Sequence, residues 1–142
     1  MNENMQILSS VYDTSKSQSK TLGAMLTHVN NKSLRGALLS QIIEYDRISR
    51  DAGEQICALG QKPKTSHPVK ERLSVWNASM RTQSNPAPSN VAKMVSLMSH
   101  EAQDSTVCTM NNCQNSSPAS YNLARRLVKA TEKSHEKMKH FL

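Results

Sequence analysis

Glu132-Lys133-Ser134-His135 sets a carboxylate three residues ahead of an imidazole. On a helix that spacing brings both side chains to adjoining strips of one surface, the way helical bundles present half of a site for a pair of bridged metal ions. The remaining ligands of such a site have candidates too. Asp13 and Glu44 lie 31 residues apart, and so do Glu101 and Glu132. If present, a metal site would use Glu44, Glu101, Glu132 and His135, and iron or manganese would be its ion. A second pattern, Arg125, Lys129, Lys133 and Lys137, advances by four and forms a basic ridge. Its functional reading is a strip facing phosphates, and its plainer reading is a solvated face with local ion pairs.

Stepping from these residues to their supports, four long helices are expected at about 4–29, 33–59, 89–112 and 119–141. "NNKS" separates the first two, with Ser33 as N-cap, and "QNSSPAS" separates the last two. Each pair should form an antiparallel hairpin, giving a first hairpin at 1–59 and a second at 89–142. Between them, residues 60–88 hold four of the five prolines. Simple helix connections take roughly 2 to 8 residues, so a stretch this long points to a crossover along the bundle. Within it, Ser66 as cap, Pro68 in the first turn, and Leu73, Trp76 and Met80 on one face predict a short extra helix. Trp76, the only Trp, is expected to pin that helix to the bundle or to a partner chain.

Two long hairpins joined by a long crossover, with a second helix reading "LLSQIIEYDRISRDAGEQICALGQKP" and a last helix ending "EKMKHFL", resemble the ferritin-like superfamily. More narrowly, they resemble small uncharacterised bundle proteins of Firmicutes. The resemblance implies an all-α four-helix bundle in a single domain, and no particular activity.

Direction tests the metal site more sharply than spacing. With about 100° per residue, Ile7, Val11, Leu22, Met25, Leu26 and Val29 fall opposite Asp13, which is then expected to face water. On the second helix the stripe is Leu38, Ile42, Tyr45, Ile48, Ala52, Ile56 and Leu59. It leaves Glu44 on the flank, with Arg47 where a ligand would be needed. On the fourth, the stripe through Leu123, Leu127, Thr131, Ser134, Met138 and Phe141 leaves His135 at its edge and Glu132 outside. Only Glu101 falls within a stripe, that of Val91, Met94, Val95, Met98, Ala102 and Ser105. It is therefore expected to be buried and hydrogen-bonded to His135, with Tyr45 the alternative partner. No bound metal or other cofactor is expected on these grounds.

Composition narrows the remaining classes. Aromatics make up 4% of the chain, so the core must be aliphatic and methionine-rich, and methionines at helical spacing read as core filler. The net charge of +7 is spread along the chain and not gathered in a tail, which makes nucleic-acid binding the weaker expectation. Cys108 and Cys113, five apart on one helix, diverge by about 140° and cannot pair, so reduced thiols are expected. No apolar run reaches membrane-spanning length, and a cytoplasmic protein is expected. The leading expectation is a non-catalytic bundle that acts by interaction or assembly, as a homo-oligomer. The alternatives are a divergent di-metal oxidase or iron-handling protein, and a basic bundle that binds nucleic acid.

Overall fold

The computed structural model describes residues 2–142, whose regular secondary structure is all helix, with no strand among them. The helices are α1 (Glu3–Leu26), α2 (Lys32–Ala58), α3 (Pro68–Ser84), α4 (Pro88–Asn112) and α5 (Pro118–Met138). A 3-10 turn, Lys139–Phe141, follows α5. Thus α3 is the extra helix of the connecting segment, and α4 and α5 form the second hairpin.

The helix starts have local causes. Asn2, Asn31 and Ser117 each accept a hydrogen bond from a backbone N–H of the first turn, satisfying a donor that has no partner within the helix. The cap of α2 is therefore Asn31 and not Ser33, since an Asn two residues earlier already reaches Leu34 N at 2.9 Å. Pro68 and Pro88 open α3 and α4, where a missing N–H costs nothing. At the far end of α1, the Arg35 guanidinium donates to the carbonyls of Leu26 and Val29, both at 2.8 Å, and ties the first hairpin turn. Gly60, at φ +79°, takes the left-handed conformation that lets the chain leave α2.

Pairs of side chains fix the relative directions. Asn4 accepts from Ser117 N, the Cys113 thiol donates to Gln6, and Ser10 meets Thr109, so α1 and α4 run antiparallel. Gln41 meets Ser134 and Asp51 meets Arg126, so α2 and α5 are antiparallel as well. Within each hairpin the helices are antiparallel, which leaves α2 parallel to α4 and α1 parallel to α5 across the bundle. The extended segment 61–67 and α3 return the chain along α1 to the end from which α4 can start.

Small hydroxyls complete the aliphatic core. Ser15, Thr82, Ser99 and Thr106 are buried, and each donates to the carbonyl four residues earlier in its own helix. A hydroxyl satisfied this way enters the core without needing a partner from another helix.

The connecting segment departs from expectation. Ser66 does not cap α3; its N–H and hydroxyl donate to the Asp13 carboxylate, so Asp13 fastens the crossover to α1 instead of standing free in water. The inner face of α3 carries Glu71, Ala78, Ser79 and Thr82. Lys20 pairs with Glu71 at 2.8 Å, and His28 bonds Ser79 at 3.0 Å. Small Ala78 and Thr82 let the two helices approach. Val69, Leu73, Trp76 and Met80 consequently point outward, and Trp76 is 62% exposed instead of plugging the bundle.

Candidate functional site

The four candidate metal ligands do not converge. Glu44 is half-buried on α2, with a carboxylate oxygen 3.9 Å from an Arg126 nitrogen. Glu132 is exposed. His135 is half-buried, its ring 6.4 Å from that of His100, and its Nδ1 has no hydrogen-bond partner. Glu101 is exposed and lies on the wall of the groove between α4 and α3, which corrects its expected burial. No hydrogen bond or ion pair joins Glu101 to His135 or Tyr45 among the described residues. The cause is a rotation of the buried arc of α4. Ser99 and Thr106 belong to the core, which turns Glu101 and Ser105 outward. No group of three or more His, Cys, Asp or Glu side chains stands close enough to hold an ion among the described residues.

Where the four long helices meet at mid-height, a layer of uncharged polar groups stands instead. Ser134 of α5 donates to the side-chain amide oxygen of Gln41 on α2, and its oxygen lies 2.8 Å from the Ser99 hydroxyl of α4. Tyr45, 1% exposed, brings its hydroxyl to the same layer beside Gln18 of α1, without closing a hydrogen bond of normal geometry. Burial pushes the Tyr45 phenol above its ordinary value of 10.0, and Gln18, Ser134 and Ser99 partly offset the shift. The amide nitrogen of Gln41 has no partner either, although the residue is only 6% exposed. Two orphaned polar atoms in one buried layer are unusual, since buried donors are normally satisfied.

Above Gln41 and Tyr45, a groove of about 390 Å³ opens between α2 and α5. From α5 it is lined by Arg126, Lys129, Lys133 and Lys137, and from α2 by Arg47, so five cations face Glu44 as the lone lining carboxylate. The positions 126, 129, 133 and 137 follow the three- and four-residue steps that keep side chains on one helix face. Arg126 is already engaged by Asp51 at 2.6 Å, and Lys137 donates to Ser40 at 3.3 Å. Arg47, Lys129 and Lys133 have no acidic partner among the described residues. Three members of the basic ridge therefore line a groove and do not merely coat a solvated face. Arg125, the fourth, turns away and lies over the Tyr121 ring, 4.9 Å from its centroid.

The larger groove, about 590 Å³ between α3 and the bundle, is a weaker candidate. Its Asp13 is hydrogen-bonded to Ser66 and its Glu71 paired with Lys20, and its other charged side chains, Lys70, Arg81 and Glu101, are of mixed sign. The three cysteines are free thiols, Cys57 and Cys108 exposed and Cys113 buried. No described helix is long and apolar enough to cross a membrane.

The α2–α5 groove was only half legible in the sequence. The ridge on α5 stood out by its spacing, but Arg47 and Gln41 carried no signal, because they join it only through the pairing of α2 with α5. No family model, curated protein or solved structure matches the chain, so a reading of its function rests on the residues described above.

Proposed function

We propose that this protein is a non-catalytic bundle of the ferritin-like type that works by binding an anionic partner in the groove between α2 and α5. The observation that carries the reading is the set Arg47, Lys129 and Lys133, cations without acidic partners, set over an unpartnered buried amide. Side chains of like charge crowded along one groove repel one another, and a bound anion relieves that repulsion. The polar layer of Gln18, Gln41, Tyr45, Ser99 and Ser134 is uncharged, and amides and hydroxyls are poor ligands for iron or manganese.

The test is the melting temperature in sulfate, pyrophosphate and long-chain polyphosphate at matched ionic strength. These anions should raise the melting temperature of the wild type, by mass action at the groove, more than that of Lys129→Glu/Lys133→Glu, which keeps only the general salt effect. Equal responses of the two proteins would refute the groove. The rival oxidase or iron-handling reading is separated by elemental analysis of protein purified without chelator, in which stoichiometric iron or manganese would support the rival.

A second reading, assembly, is favoured by the outward stripe Val69, Leu73, Trp76 and Met80, whose steps of four, three and four make one continuous apolar face. Its natural occupant is the same face of a second copy, since the two-fold pairing of identical patches is the commonest way to cover one. Light scattering should then report a dimer that Trp76→Ser converts to monomer. Nucleic acid is a poorer fit than either, because no exposed aromatic side chain lines the groove to stack on bases.

A further inference from the structure

Resting on the groove reading above, we infer that the anion is a small phosphorylated organic molecule, whose phosphate or pyrophosphate group is held by Arg47, Lys129 and Lys133. Three features of the groove select this class.

The first is charge. Of the five lining cations, Arg126 is balanced by Asp51, and Glu44 offsets one more, leaving an excess that suits a dianion or trianion and exceeds what one carboxylate supplies. The second is size. About 390 Å³ lies at the low end of the roughly 300 to 1,000 Å³ typical of small-molecule sites.

The third is the wall. Ile43 and Ala130 offer an apolar surface beside the cations, which inorganic phosphate leaves unused and an organic moiety covers. Lys129 and Lys133 are one helical turn apart, about 6 Å along the axis, a separation at which two ammonium groups can bracket one phosphate.

Calorimetric titration with inorganic pyrophosphate, as the headgroup alone, at physiological ionic strength tests the inference. Saturable binding at one site per chain is expected, weakening as salt rises. Lys129→Gln/Lys133→Gln alters only exposed side chains and should abolish saturable binding. Pyrophosphate binding that this double variant leaves unchanged would overturn the inference. So would a protein that ignores pyrophosphate yet binds long-chain polyphosphate in a way the double variant abolishes, although the anionic groove itself would then stand. Failure to bind either anion would overturn both.

Discussion

Tyr45 links the polar layer to a measurable pH dependence. Its phenol titrates above 10.0 in the folded protein because burial disfavours the phenolate, while in the unfolded chain it titrates near the ordinary value. Below pH 10 both states hold the proton and Tyr45 contributes no slope. As pH rises past 10 the unfolded chain releases its proton first, so the unfolded state binds fewer protons and stability falls. Between the two titrations the wild type should lose stability at up to about 1.4 kcal/mol per pH unit through this group alone. Tyr45→Phe removes the effect and keeps the ring that packs in the core. At neutral pH the variant should be at least as stable as the wild type, because the hydroxyl it loses is buried without a well-formed hydrogen bond. The assay is urea unfolding of both proteins across the alkaline range, where contributions common to the two proteins cancel in the comparison. Parallel stability curves for the two proteins would refute the placement of the Tyr45 phenol in a desolvated layer. A loss of more than about 1 kcal/mol at neutral pH in Tyr45→Phe would show instead that the hydroxyl makes a net favourable bond.

Three further outcomes are expected. Leu127→Ala, in the middle of the buried face of α5, should cost about 2 to 5 kcal/mol in chemical denaturation, as truncation of a fully buried leucine does. Glu101→Leu should change stability by no more than about 0.5 kcal/mol, because the carboxylate is exposed and unpaired; a large loss would restore the buried pairing with His135. Asp13→Ala should release the segment that Ser66 anchors, which limited proteolysis would detect as faster cleavage around residues 61–67 with the four long helices still folded.

The sequence alone determined the helical class, because period-3.6 patterning, caps and prolines act within a few residues of where they stand. The buried positions of α1 and α2 were legible for the same reason: Ile7, Val11, Leu22, Leu38, Tyr45 and Ile48 are the residues an apolar stripe picks out, and all are buried. The stripe failed on α4. There the core admits Ser99 and Thr106, whose hydroxyls are satisfied by their own helix, and a wheel weighted by apolarity alone centres the face too near Glu101. It failed on α3 as well, since Leu73, Trp76 and Met80 look like a buried face until Lys20–Glu71 and Asp13–Ser66 orient the helix the other way. The candidate site depended most on tertiary structure. Lys129, Lys133 and Lys137 announce a ridge, but a ridge becomes a groove only when α2 lies beside α5 and brings Arg47 as the opposite wall and Gln41 as the floor. Local patterns specify how each helix is sided; which two sides meet depends on contacts between residues some ninety positions apart, such as Gln41 with Ser134, and no window of sequence contains both.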